Sequence, residues 1–150
     1  MRGDLDGRGG DSDGRGDVEW GTVPGLVRSA VERFGGVEAV VDGRTRVSYA
    51  ELGARVERAA AACVANGVGV GDRVALWAPN SLDWIVSALG AVSAGAVLVP
   101  LNTRFKGGET ADVLARSRAK LLFITGTFLG TSYVASLRRA AGADGGRLRA

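Results

Sequence analysis

After Gly67 the chain alternates short apolar runs with stretches of helical periodicity, and this alternation constrains the fold more than any other feature. Residues 74–78, 96–99 and 121–125 are apolar runs of strand length, and residues 81–94 and 108–117 between them carry helical spacing. A short strand that is apolar without alternation is covered on both faces, and strands joined through helices run parallel. The predicted unit is βαβαβ with right-handed crossovers. One more helix is predicted over residues 131–140, followed by a glycine-rich tail.

The segment before this unit reads as a helix and a short hairpin. Thr22 is placed as an N-cap, Val27, Ala30, Val31 and Phe34 share one helical face, and Gly35-Gly36 stops the helix. Residues 37–41 and 44–47 form two short strands around Asp42-Gly43, the signal for a type I′ turn. Ser48-Tyr49-Ala50-Glu51 is a capping box, Val47 and Leu52 are spaced as a hydrophobic staple, and Leu52, Val56, Ala60 and Cys63 continue one face to about Asn66. The fold class is α/β: a parallel βαβαβ sheet with flanking helices, preceded by a helix and a β-hairpin.

Residues 84–103 carry no charge, which raises a membrane span. Gly90, Ser93, Gly95 and Pro100 interrupt the stretch, and helix, glycine turn and buried strand explain it better, so no membrane span is expected. Residues 1–19 are poor in apolar groups and rich in glycine; ordering them costs entropy with little burial in return, and they are expected to form a disordered extension. Arg2-Gly3-Asp4 and Arg15-Gly16-Asp17 follow from that composition, and a calcium loop at Asp11 and Asp13 fails because Arg15 and Thr22 stand where oxygen ligands are needed.

The net charge is +3, but the basic residues, almost all Arg apart from Lys106 and Lys120, are scattered among Asp and Glu. No stripe forms, and no nucleic-acid partner is expected. The absence of histidine removes Ser-His and Cys-His nucleophile activation and mixed zinc sites. Cys63 is the single cysteine, in an apolar setting, and the first residues lack the apolar core of a secretory signal; a reducing cytoplasm is expected.

Two glycine-rich loops invite a nucleotide reading. Gly67-Val68-Gly69-Val70-Gly71-Asp72 follows a helix and leads into a strand, the reverse of a dinucleotide fingerprint, so Gly67 reads as a helix C-cap and the rest as a turn. Gly126-Thr127-Phe128-Leu129-Gly130-Thr131-Ser132 lies between strand and helix, but it has three residues between its glycines and no lysine before the hydroxyl residue. It reads as a connecting loop.

The segments Val47-Ser48-Tyr49-Ala50-Glu51-Leu52 and Leu89-Gly90-Ala91-Val92-Ser93-Ala94-Gly95-Ala96-Val97-Leu98-Val99-Pro100-Leu101-Asn102-Thr103-Arg104 resemble, in order and separation, the first two core motifs of the adenylate-forming (AMP-binding) superfamily. Between them, Gly71-Asp72-Arg73-Val74-Ala75 and Pro79-Asn80-Ser81 are similar to that family's turn into its first parallel strand and its exit from it. The resemblance runs from about residue 22 to residue 137. Residues 99–104 and Phe128-Leu129-Gly130 look most like bacterial acyl-CoA synthetases, including those acting on fatty acids and steroid-derived acids; carrier-loading adenylation domains more often have Asp where Asn102 stands.

The resemblance implies an ATP-dependent acid:CoA ligase that forms an acyl-adenylate and then a CoA thioester, with ATP, Mg2+ and CoA as the parent enzyme's cofactors and a carboxylic acid as substrate. The family's phosphate loop with its lysine, its nucleotide contacts and its late catalytic lysine have no counterpart in these residues. The chain is therefore expected to be the opening section of a longer enzyme, with residues 20–150 an incomplete N-terminal subdomain that is inactive alone and binds none of these cofactors strongly. No catalytic, cofactor-binding or metal residue carries over. Asn80, Asn102 and Arg104, at strand ends, are candidates for lining the parent's cleft, set against local capping and loop bonding. A non-catalytic domain that binds a nucleotide, self-associates or pairs with the rest of a split ligase is the alternative.

Overall fold

A computed structural model describes residues 21–143. The extension expected at residues 1–19 and the tail from residue 144 lie outside the described residues. Helix α1 (Val23–Phe34) starts where Thr22 Oγ1 accepts the Gly25 amide at 3.1 Å. Strands β1 (Glu38–Asp42) and β2 (Thr45–Ser48) pair antiparallel. Their turn differs from the expectation: Asp42 still pairs with Thr45, so Gly43 and Arg44 are the central residues, and only Gly43 has positive φ (58°), the type II′ pattern. Asp42 stays in the strand because its carboxylate is engaged elsewhere, accepting the Leu82 amide at 2.8 Å at the start of the third helix.

The capping box forms as the sequence predicts. Ser48 Oγ accepts the Glu51 amide at 3.3 Å and Glu51 Oε2 accepts the Ser48 amide at 2.8 Å, opening α2 (Tyr49–Ala65). The Ser48 backbone amide foremost, then the Ser48 hydroxyl donating to Glu51 Oε2 at 3.1 Å, hold the Glu51 carboxyl below its ordinary range. Val47 and Leu52 are both buried, in one cluster with Val56 and Leu82, under α1, β1 and α3 (Leu82–Ser93).

The sheet contains β3 (Arg73–Trp77), β4 (Val97–Pro100) and β5 (Leu121–Ile124), parallel and in the order β4-β3-β5. Its strands lie within a residue of the apolar runs that predict them. Pleating sends alternate side chains to opposite faces. Val74, Leu98, Leu121 and Phe123 pack with Cys63, Val68 and Ala91 of the α2–α3 side; Ala75, Trp77, Val99, Leu122 and Ile124 pack with Leu114 of α4 (Gly107–Ser117) and Tyr133 of α5 (Tyr133–Ala143). The uncharged stretch at residues 84–103 resolves into α3, a Gly95 turn (φ 84°) and β4, and no helix among the described residues is long and apolar enough to cross a membrane. Helices α2 and α3 touch backbone to backbone: a Cβ at Gly90 would lie 2.5 Å from the Ala59 Cβ.

The predicted connecting loop at 126–132 contains more structure than expected. Strands β6 (Thr127–Phe128) and β7 (Thr131–Ser132) form a minimal antiparallel hairpin turning through Leu129 (φ 48°) and Gly130 (φ 74°), so α5 begins at Tyr133 and not at residue 131.

At the amino end of the sheet Arg73 donates to the carbonyls of Ser117 (2.8 Å) and Arg118 (3.2 Å), satisfying the end of α4. Beside it Asp72 accepts from Lys120 Nζ and from the Gly69 amide, both at 2.8 Å, joining the entries to β3 and β5. The Lys120 bond, then the Gly69 amide, hold the Asp72 carboxyl below its usual range. A depressed carboxyl pKa stabilises the fold above the unfolded value, about 3.9, and the contribution disappears as pH falls through the lower folded value. The urea midpoint of the natural chain should therefore exceed that of Asp72→Asn by a constant margin above about pH 5, a margin that shrinks below about pH 4; a margin independent of pH would contradict the assignment.

Candidate functional site

The topology itself creates a crevice. From β3 the chain passes through α3 to β4 on one side, and from β4 it passes through α4 across β3 to β5 on the other. Right-handed crossovers in opposite directions place α3 and α4 on opposite faces, as the two packing clusters record. The loops leaving β3 and β4 therefore separate at their carboxyl ends, the position where open α/β sheets bind ligands.

A cavity of about 370 Å³ lies at this end, lined by Trp77 from β3, Thr103, Arg104, Phe105 and Lys106 from the loop after β4, Phe128, Leu129 and Thr131 from the hairpin, and Tyr133 and Ser136 from α5. Of the three residues singled out from the sequence, Arg104 lines it. Asn102 is exposed beside it, with Oδ1 accepting the Arg104 amide at 2.9 Å and its carbonyl accepting the Phe105 amide at 3.0 Å. Asn80, in the exposed loop after β3, is not among the lining residues. The structure thus brings Asn102 and Arg104 into one loop and leaves Asn80 apart from them.

Aromatic residues that sequence reasoning missed form the inner wall. Trp77 is fully buried, its ring stacked on Tyr133 with centroids 4.1 Å apart, and Phe128 meets Tyr133 edge-on at 6.2 Å. Trp77 Nε1 donates to the Asn102 carbonyl at 3.1 Å and Tyr133 Oη donates to the Thr103 carbonyl at 2.5 Å. Burial raises the Tyr133 phenol above its ordinary value. A buried indole or phenol seeks an acceptor, which was the available signal, but the acceptor's identity is a tertiary fact.

The outer rim carries the exposed cations Arg104 and Lys106; among the described residues neither side chain is in an ion pair, and Glu109 Oε2 accepts the Lys106 backbone amide at 2.9 Å. Two cations and several hydroxyls beside an apolar wall suit an anionic group on an apolar body. No group of three or more His, Cys, Asp or Glu converges among the described residues. The ends of the hairpin at 126–132 are tied by the Tyr133 amide donating to the Gly126 carbonyl at 3.1 Å and by the β6–β7 pairing. A second groove of about 400 Å³, between β5 and α5, is lined mainly by Leu114, Leu121, Leu122, Ile124, Val134 and Leu137, together with Lys120 and Arg138.

A family model described as "AMP-binding enzyme" matches residues 27–147. The chain is 44% identical over 117 residues to a 3-[(3aS,4S,7aS)-7a-methyl-1,5-dioxo-octahydro-1H-inden-4-yl]propanoyl:CoA ligase of Rhodococcus jostii (strain RHA1), covering 78% of this chain and 23% of that protein. It is 42% identical over 120 residues to the ligase of the same name from Mycobacterium tuberculosis (strain ATCC 25618 / H37Rv), covering 80% and 24%. Among solved structures, a benzoate CoA ligase from Burkholderia xenovorans LB400 superposes with a TM-score of 0.73 at 25% identity, covering 81% of this chain and 24% of that one. The N-terminal domain of FACL13 from Mycobacterium tuberculosis superposes with a TM-score of 0.65 at 33% identity, covering 67% and 26%. The chain spans about a quarter of the length of the curated relatives it matches.

The cavity depends on how closely α4 approaches α5. Gly107, at the first turn of α4, donates its amide to Ser136 Oγ at 3.1 Å, and a Cβ at this position would lie 2.2 Å from the Ser136 carbonyl oxygen. That atom is backbone and cannot swing aside. Gly107→Ala should lower stability by about 1–3 kcal/mol, the range for overpacking, read from urea denaturation; a change below about 0.5 kcal/mol, the size of a neutral surface substitution, would contradict this packing.

Proposed function

The chain belongs to the AMP-binding enzyme family, and from that premise we propose that it is the N-terminal section of an ATP-dependent carboxylic acid:CoA ligase. The observation that carries the proposal is the identity to two curated CoA ligases across most of the described chain. The parent enzyme joins a carboxylic acid to ATP as an acyl-adenylate, with Mg2+, and transfers the acyl group to CoA. Its acid has an apolar body, either a propanoic acid on a fused bicyclic ring system, as in those relatives' names, or a fatty acid, as in the name of a further Mycobacterium tuberculosis relative.

In this reading the β4–α4 loop, with Asn102 and Arg104, forms part of the wall of the parent's cleft, and Asn80 stands at its margin. On the same reading the family's phosphate loop with its lysine, its nucleotide contacts and its late catalytic lysine belong to parts of the ligase beyond the quarter represented here, so these 150 residues do not turn over alone. The remainder of the ligase is the expected partner, and the apolar groove along β5 and α5 supports such an association. A reducing cytoplasmic setting accords with Cys63 as a buried free thiol.

The test has two arms. The 150-residue chain with ATP, Mg2+, CoA and the bicyclic or a fatty acid should release no pyrophosphate and form no thioester. Residues 27–147, grafted in place of their counterpart in the Rhodococcus jostii ligase, should support thioester formation within about tenfold of the parent, equivalent to about 1.4 kcal/mol in barrier. A folded but inactive graft would refute the ligase reading, and turnover by the chain alone would refute its inactivity.

A further inference from the structure

The wall of the cavity contains an arrangement that core packing alone does not require. Trp77 closes β3 and Tyr133 opens α5; both are buried, and their rings lie nearly parallel, 16° apart. Each ring carries one polar donor, and the two donors converge on consecutive carbonyls of a single loop, Trp77 Nε1 on Asn102 and Tyr133 Oη on Thr103. A buried donor needs one acceptor of any origin. Here both acceptors belong to the segment that immediately precedes Arg104, so this segment cannot shift without breaking both bonds or separating the stack. The placement passes on locally, because Asn102 also accepts the amides of Arg104, through Oδ1, and of Phe105, through its carbonyl.

We infer that Trp77 and Tyr133 are positioning residues: stacked on each other, they hold the carbonyls of Asn102 and Thr103 and so fix where Arg104 stands on the rim of the cavity. Phe128 supports the pair by meeting the Tyr133 ring edge-on, which ties the β6–β7 hairpin to the same loop. The inference rests on the ligase reading only for what Arg104 faces; the positioning itself is a property of this chain.

The test compares the full chain with Tyr133→Phe, which keeps the stack and removes one donor, by measuring amide hydrogen exchange under native conditions. The Arg104 and Phe105 amides should exchange roughly three- to tenfold faster in the variant, the factor expected for losing one hydrogen bond that restrains local opening. Trp77→Phe, where it folds, should accelerate the same two amides. A role confined to global stability would lower the urea midpoint of Tyr133→Phe and leave both amide rates unchanged, and that result would overturn the inference. Exchange needs no turnover, so an inactive graft would sink the ligase reading without touching this result, and unchanged amides would sink the positioning while leaving the ligase reading intact.

Discussion

Val74, Ala75, Leu76 and Trp77 of β3 are each no more than 1% exposed, and the described structure is arranged around keeping them so. A strand buried on both faces and paired on both edges has no solvent side, so every neighbouring element must supply an apolar surface of matching sign. The α2–α3 pair covers Val74, and the α4–α5 pair covers Ala75 and Trp77. β4 and β5 satisfy its backbone on either side. Burial of this one strand thus accounts for the two helical layers, the parallel pairing and the apolar character of the neighbouring strands.

The site follows from the same constraint. Covering both faces of β3 with helices that leave through right-handed crossovers obliges the chain to change direction after β4, and that reversal opens the crevice at the carboxyl ends. Trp77 belongs to both descriptions, since it is the last core residue of β3 and the innermost residue of the cavity wall. Packing and site geometry are therefore linked through one side chain. The chain offers a wall and a cationic rim, and it belongs to the AMP-binding enzyme family.

Much of the fold was legible because its signals are local. The capping box at Ser48 and Glu51 involves residues three apart, and the apolar runs report burial directly. Features that depend on distant partners were not. The turn at Gly43-Arg44 is set by Asp42 bonding Leu82 forty residues away, and the close approaches at Gly90 and Gly107 exist only when two helices meet. The hairpin within 126–132 was read as a plain loop because a left-handed Leu129 carries no compositional signature. Asn102 and Arg104 were singled out through their position at a strand end, whereas nothing in the sequence singled out Trp77 and Tyr133, because the carbonyls they hold lie on a loop whose position only the tertiary structure sets.

The claim on which the rest stands is that β3 lies between β4 and β5 with both neighbours parallel to it. Backbone nuclear Overhauser effects from Ala75 test it directly. Contacts are expected from Ala75 to the backbone protons around both Val99 and Leu122, in the pattern of parallel strands. Contacts to only one of them, or close α-proton pairs of the antiparallel kind, would contradict it.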